Sequence, residues 1–179
     1  MTVEQIIDGC RKGDSDCRRE LYERYAKQMF GLVRRYVNDP EAAEDVLHDG
    51  FVTLFTKIGD FRSDGSFDGW CRRIFVNASL SAIRRATIHS TDSLSDPIKS
   101  SSAATDYGVM EQLSADDIMH CMQLLPDGCR TIMNLRAIEG YSYAEIAEML
   151  SLNESSVRSQ FIRARNKLSE MMNKLYGTE

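Results

Sequence analysis

Between residues 87 and 106 the chain reads Thr-Ile-His-Ser-Thr-Asp-Ser-Leu-Ser-Asp-Pro-Ile-Lys-Ser-Ser-Ser-Ala-Ala-Thr-Asp, and thirteen of these twenty positions are Ser, Thr, Asp or Pro. A stretch of that make-up buries too little apolar surface to offset its ordering entropy, so it cannot join a packed core. We read it as the centre of a flexible linker, 88–113, that divides the 179 residues into segments 1–87 and 114–179. Each segment is long enough for one small domain. A flexible chain of about twenty residues spans ~25 Å root-mean-square, so the flanking modules can work on separate surfaces of a larger assembly.

The apolar residues on both sides of this stretch recur with helical period, and no alternating strand pattern occurs. A short helix carries Val3, Ile6, Ile7 and Cys10. Leu21, Tyr25, Met29, Val33 and Tyr36-Val37 mark a second, with Asp14 or Ser15 as its cap. Asp39-Pro40 restarts the chain, Asp as N-cap and Pro at the first helical position. The helix that follows has Ala43, Val46-Leu47, Gly50-Phe51, Leu54 and Ile58 toward the core. A turn at Phe61-Arg62-Ser63-Asp64-Gly65-Ser66 leads into a helix with Phe67, Trp70-Cys71, Ile74 and Ala78 on one side. Beyond the linker, Ser114 and Asp117 can cap a helix containing Ile118, Cys121-Met122 and Leu124-Leu125. Pro126 opens the next, with Ile132-Met133, Leu135 and Ile138, closed by Gly140. Ser142-Tyr143-Ala144-Glu145 is a capping box for a short helix with Ile146, Ala147 and Leu150. Ser151-Leu152-Asn153 then leads to a long last helix with Val157, Phe161, Ala164, Leu168, Met171 and Leu175. The expected fold class is all-α, two small helical domains on a flexible linker.

The net charge of -5 argues against a generic nucleic-acid binder, but the signs are sorted along the chain. Residues 39–49 carry Asp39, Glu41, Glu44, Asp45 and Asp49 with no base. Residues 69–91 carry Arg72, Arg73, Arg84 and Arg85 with no acid. Residues 155–174 carry Arg158, Arg163, Arg165, Lys167 and Lys174 against Glu170 alone. Different partners at different places are expected. No run approaches the ~20 apolar residues of a membrane span, and the N-terminus does not read as a signal peptide, so a cytoplasmic protein without membrane insertion is expected. The five cysteines, Cys10, Cys17, Cys71, Cys121 and Cys129, contain no C-x-x-C pair and fit free thiols in a reducing compartment. His120, Cys121 and Cys129 come nearest to a metal set. Cys121 and Cys129 straddle Leu124-Leu125-Pro126, where a helix should end, so neither a metal nor another cofactor is expected. His48, His89 and His120 lie in different segments, with no Ser/His/Asp set or phosphate loop, so no enzyme is expected.

Three faces carry the functional reading. The C-terminal pair of helices has the turn, cap and small crossing residue (Ala147) of a helix-turn-helix, with Val157 and Phe161 locking the second helix onto the first. Its outward side is Ser155, Ser156, Arg158, Ser159, Ile162 and Arg163. Hydroxyl and Arg side chains at a helix start suit phosphates and major-groove base edges. On the Trp70 helix, Arg73, Asn77 and Arg84 form one stripe with Arg72 and Arg85 alongside. Asn77 is a poor helix former, expected to break the helix and free its amide for a base edge. Phe61, Phe67 and Phe75 are either core or platforms for unpaired bases; Trp70 is read as core. On the acidic helix, Asp45, His48, Asp49 and Val52 fall at i, i+3, i+4 and i+7, opposite the Leu47-Phe51-Leu54 side. That stripe suits docking to a basic protein surface, with Val52 as an apolar anchor.

With these residues in view the chain resembles the bacterial extracytoplasmic-function sigma factors over about residues 10–175. The first domain is similar to the family's sigma-two domain: Gly13-Asp14 before Leu21-Tyr22-Glu23-Arg24-Tyr25, the Asp39-Pro40 to Phe51 segment, Phe61-Arg62, Phe67, Trp70, Ile74 and Asn77. The second resembles sigma-four: Leu125-Pro126, Arg130, Gly140-Tyr141-Ser142, Glu145-Ile146-Ala147, Val157-Arg158-Ser159, Arg163-Ala164-Arg165 and Leu168. His48 stands where the family usually has Gln, Cys71 for Leu, Ser81 for Asp, and Ser151 for the turn Gly. The resemblance implies binding to core RNA polymerase and promoter DNA. Asp45, His48, Asp49 and Val52 would meet the clamp helices of the large polymerase subunit. Asn77 and its neighbours would capture the non-template strand of the minus-ten element. Ser156, Arg158, Ser159 and Arg163 would read the minus-thirty-five element as duplex. A membrane-bound anti-sigma factor is a further partner that the resemblance admits. The alternatives are a stand-alone helix-turn-helix regulator binding an operator as a dimer, and an adaptor of two helical modules that binds no DNA.

Overall fold

The helices begin where short polar side chains stand ready to take up their unpaired amides. In the computed structural model, which describes residues 1–62, 65–89 and 115–176, the Thr2 hydroxyl accepts from the Gln5 amide and Gln5 Oε1 accepts from the Thr2 amide, opening α1 (Val3–Arg11). Asp14 caps α2 (Ser15–Arg34), accepting from the amides of Asp16 and Cys17 at 2.8 and 3.0 Å. Bonds from Cys17 and Asp16 hold its carboxyl below the ordinary range. Asp39 caps α3 (Pro40–Lys57) through the Ala42 amide, with Pro40 at the first helical position. A single 3-10 turn, Ile58–Asp60, follows, and then α4 (Phe67–His89).

These helices belong to the first of two compact units, Met1–Thr91 and Asp92–Glu179. Helix α2 packs on α1, α3 and α4, and α3 packs on α4. Ile6, Leu21, Met29, Leu32, Val33, Tyr36, Leu54, Phe75 and Val76 are almost wholly buried between them. The α3–α4 contact is close because Gly50 has no side chain: a Cβ there would overlap the Phe75 ring. Polar ties also cross the unit. The Tyr25 hydroxyl donates to Asp68 Oδ1 at 2.5 Å, joining α2 to the first turn of α4, and burial raises the phenol's pKa, with Asp68 adding to the effect. Arg11 donates to the carbonyls of Ile58 and Phe61, joining α1 to the turn after α3.

The second unit contains α5 (Ala115–Gln123), α6 (Asp127–Met133) continued by a π-helical segment Asn134–Ile138, α7 (Tyr143–Leu150) and α8 (Glu154–Tyr176). Met122, Leu125, Cys129, Met133 and Ala164 form one core cluster, with Phe161, Leu168 and Met171 packed against it, and Ile132, Leu135, Ile146 and Val157 are also wholly buried. Arg130 is buried, and its guanidinium donates to the carbonyls of Gln123 and Leu125 and to Asp127, holding the α5–α6 turn closed. The capping box at the head of α7 is formed: Glu145 donates its amide to the Ser142 hydroxyl, and the Ser142 amide donates to Glu145 Oε2. Ser151 ends α7 at φ 56°, a left-handed conformation that favours glycine and here falls to a short polar residue.

Among the described residues the elements are helices and turns, without a strand. Several expectations need correction. Helix α4 does not break at Asn77 but runs through it to His89, past the expected start of the linker. Its buried row is Phe67, Cys71, Phe75, Val76, Ser79 and Leu80, whereas Trp70, Ile74 and Ala78 are only half-buried. Phe61, Phe67 and Phe75 are core and present no ring to a base. Ile118, Leu124, Ile138 and Leu175, which belong to the apolar rows, are exposed. The Ser114 cap, Ser63-Asp64 of the turn, and the linker from residue 90 onward lie outside the described residues. The thiols are buried; burial pushes Cys10 up to about 11 and Cys71 up to about 12, so both stay protonated at neutral pH.

The Gly50–Phe75 contact yields a test with its own control. Gly50→Ala forces a methyl into the Phe75 ring and should cost about 1–3 kcal/mol, roughly 5–15 °C in the melting temperature of the first unit. Gly31→Ala, exposed on α2 with nothing within 4 Å of the added carbon, should instead stabilise by about 0.5–1 kcal/mol. Thermal unfolding of the two variants beside the wild type checks both signs.

Candidate protein and nucleic-acid interfaces

On α3 the burial of Ala43, Val46, Gly50, Phe51 and Leu54 fixes which residues face water. Asp45, His48, Asp49 and Val52 are all exposed, with Val52 at 52%. Helical spacing puts them on one face, so three polar groups and an apolar side chain share one solvent-exposed stripe that ends at Val52. Beside them lies a shallow groove of about 360 Å³, lined by Tyr22, Ala26, Lys27 and Phe30 of α2 and by Glu44, Leu47 and His48 of α3. Tyr22 rests on Phe51, with ring centroids 4.6 Å apart, yet stays 45% exposed. The sequence reading used Tyr22 only as part of a motif and did not single out Phe30. Their signal was readable: two aromatic rings on α2 beside the Leu21-Tyr25-Met29 row, where polar residues would serve a solvated face.

On α4, Arg73, Asn77, Arg84 and Arg85 are exposed and Arg72 is half-buried. They line an unbroken helix, so Asn77 presents its amide from regular backbone. Arg84 donates to the Ser81 hydroxyl at 3.2 Å. Arg85 donates to Asp49 Oδ2 at 3.4 Å, so the α3 stripe and the α4 arginines meet in one exposed ion pair. With side chains 64% and 56% exposed, such a pair contributes about 0–1 kcal/mol. It opens readily to other partners.

On α8, Ser155, Arg158, Ser159 and Ile162 are exposed, while Ser156 and Arg163 are half-buried. Val157 and Ala164 form the opposite, buried side. The Ser159 hydroxyl donates to the Ser155 carbonyl at 2.9 Å. Arg158 is held within the unit: its guanidinium pairs with Glu154 and lies over the Tyr143 ring. Sequence reasoning missed both partners. Glu154 sits one residue before the basic stretch counted from 155, and Tyr143 is on the preceding helix.

The three faces have distinct chemistry. The acidic-apolar stripe on α3 suits a basic protein surface, and the arginine rows on α4 and α8 suit a polyanion. Comparison with known proteins gives the family of the chain. The Sigma-70 region 2 family matches residues 21–88, and the Sigma-70, region 4 family matches residues 115–168. The RNA polymerase sigma-H factor of Pseudomonas aeruginosa is 29% identical, over 96% of this chain and 94% of that protein. The ECF RNA polymerase sigma factor SigM of Mycobacterium tuberculosis is 31% identical, over 89% of this chain and 79% of that protein. Among solved structures, the sigma factor RpoE of Bartonella quintana, in complex with the anti-sigma factor NepR, shares the fold at TM-score 0.53 and 20% identity, covering 87% of this chain and 96% of that one. Two sigma-factor regions in order along the chain, and relatives alike over nearly its whole length, favour this reading over a stand-alone operator-binding regulator. No described helix is long and apolar enough to cross a membrane. The chain belongs to the extracytoplasmic-function sigma factors of bacterial RNA polymerase, the proteins that direct the core enzyme to promoters.

Proposed function

We propose that the chain divides promoter recognition between its two helical units. The first, residues 1–87, docks on core polymerase and captures the minus-ten element; the second, residues 114–179, reads the minus-thirty-five element; residues 88–113 tether them. Asp45, His48, Asp49 and Val52 meet the clamp helices of the large polymerase subunit. Arg72, Arg73, Asn77, Arg84 and Arg85 hold the non-template strand as it opens. Ser155, Ser156, Arg158, Ser159 and Arg163 face the upstream duplex. The observation that carries the reading is the α3 stripe: a half-exposed Val52 among Asp45, His48 and Asp49, on a helix whose other side is buried. Solvated acids alone need no partner, but an exposed apolar residue ending their stripe, on a helix that also lines an aromatic groove, is what a docking surface presents. Action on polymerase places the protein in the cytoplasm. A membrane-bound anti-sigma factor is a further proposed partner, supported by the Bartonella relative being solved with an anti-sigma factor.

Charge reversal tests the docking face. Asp45→Arg sets like charge against a basic surface and should cost several kcal/mol of core binding. Circular dichroism should be unchanged, because Asp45 is exposed. Pull-down with core enzyme reads the loss, and retention at wild-type affinity would remove the assignment. Asp49→Arg should act likewise and also frees Arg85 from its pair.

On α8, Arg158→Ala and Arg163→Ala should weaken promoter use through the upstream element. A lost base contact costs ~1–3 kcal/mol and relaxes specificity at one position, whereas a lost phosphate contact weakens every template about equally. Run-off transcription on intact and scrambled upstream elements separates the two, and equal losses on both templates would overturn base readout.

The free protein, with its net charge of -5, should bind promoter duplex weakly at physiological salt, because the acids repel what the arginines attract. Core enzyme supplies specific binding by holding both units on one template, an effective-concentration gain. A Gly/Ser replacement of 90–106 at equal length should therefore keep most run-off activity, and deletion of about fifteen residues there should abolish it. Tight sequence-specific duplex binding without polymerase, seen by gel shift, would contradict the reading.

A further inference from the structure

The recognition-helix arginine is not a loose surface side chain. Arg158 Nε and Nη2 both donate to Glu154 Oε1, at 3.1 and 2.5 Å, across one turn of α8. Glutamate four residues before arginine is the favourable order for a pair on a helix. The same guanidinium lies 4.5 Å from the centroid of the Tyr143 ring, at the start of α7. That ring is itself fixed. It meets Phe161 edge-on at 5.8 Å, and a second guanidinium, Arg136, lies 4.7 Å from its centroid. Arg136 in turn donates to the Tyr141 carbonyl at 3.0 Å. Arg158 is thus restrained from two directions, by a carboxylate on its own helix and by an anchored ring on the neighbouring one.

The restraint leaves the useful edge open. A guanidinium has five N–H donors in a planar fork. Glu154 takes one on Nε and one on Nη2. The other Nη2 hydrogen and one Nη1 hydrogen lie along the far edge, where the two nitrogens can donate together to guanine O6 and N7. A free arginine reaches a phosphate as easily as a base, and a phosphate contact carries no sequence information. An arginine held at its Nε edge and stacked on a ring has fewer such options. Glu154 also sets a negative charge on the face that meets DNA, which weakens binding to every sequence alike.

We propose that Glu154 and Tyr143 are positioning residues that hold Arg158 ready to read one guanine in the upstream element, trading general DNA affinity for discrimination. The proposal rests on the reading of α8 as the helix that faces the upstream duplex.

The test uses holoenzyme, the full chain with core polymerase, on promoter templates that each carry one substituted upstream base pair. Template affinity and its salt dependence are measured for each. Wild type should lose about tenfold or more at one G·C pair, the size of a lost bidentate contact. Arg158→Ala should abolish that preference. Glu154→Gln should cut it to about two- or threefold, while affinity for a scrambled upstream element rises and the salt slope steepens by up to about one unit as the released arginine finds a phosphate. Tyr143→Leu should lower the same preference without the gain in general affinity. A purely structural role for Glu154 would weaken all templates together and could not raise affinity for the scrambled one. If Arg158→Ala abolishes the preference and Glu154→Gln leaves it at the wild-type value, the positioning role is overturned and the recognition-helix reading stands. If Arg158→Ala leaves the preference intact, that reading falls, and the inference with it.

Discussion

The Phe75 ring lies against the bare backbone of Gly50, and this contact sets the rotation of α3 against α4. The outer faces of α3 and α4 follow from that phase. With Gly50, Phe51 and Leu54 turned in, helical geometry turns Asp45, His48, Asp49 and Val52 out. With Cys71, Phe75, Val76 and Ser79 turned in, Arg73, Asn77 and Arg84 are turned out. Rotating either helix by one residue would carry charged groups into a dry core, at a cost no exposed ion pair could offset. The functional faces are in this sense the complement of the packing.

A similar logic, with different parts, holds in the second unit. Ala164 is wholly buried against Met122, Leu125, Cys129 and Met133, so α8 approaches the core closely on a small side chain. Arg130 does there what an apolar residue could not. Its guanidinium gathers the carbonyls that the α5–α6 turn would otherwise leave unpaired inside the unit. The outward side of α8 then carries hydroxyl groups and arginines at its start, and the capping box on α7 sets the neighbouring ring of Tyr143 beside Arg158.

Electrostatics places the sorted charges in contact rather than apart. Asp49 of the acidic stripe reaches Arg85 of the arginine row, and Glu154 reaches Arg158. Both pairs are exposed, so their net worth to stability is small. Their consequence is for recognition: Arg85 and Arg158 each already have a carboxylate beside them, which lowers indiscriminate attraction while leaving the group available to a better-matched partner.

The sequence by itself determined what depends on neighbours within a turn or two. The Asp14, Asp39 and Ser142 caps, the helical apolar rows, the turn at Ser151-Leu152-Asn153 and the outward acids of α3 are all rules of spacing i to i+4, and they were legible as written. That Ser151 takes the left-handed conformation at the end of α7 is seen only in the structure. Tertiary structure decided the rest. Asn77 has poor helix propensity, yet α4 runs on through it, because Phe75, Val76, Ser79 and Leu80 around it are buried against neighbouring helices, and packing outweighs a few tenths of a kcal/mol of local preference. Ile118, Leu124, Ile138 and Leu175 share the apolar rows but not the burial, since a row is wider than the neighbour that covers it. The partners of Arg11, Arg130, Asp68 and Arg158 lie on other elements or across turns, and no periodicity announces them. Local spacing fixes which face a residue is on; only the packed helices decide which other face it meets, because that choice is made by shape and by the cost of leaving buried polar groups unpaired.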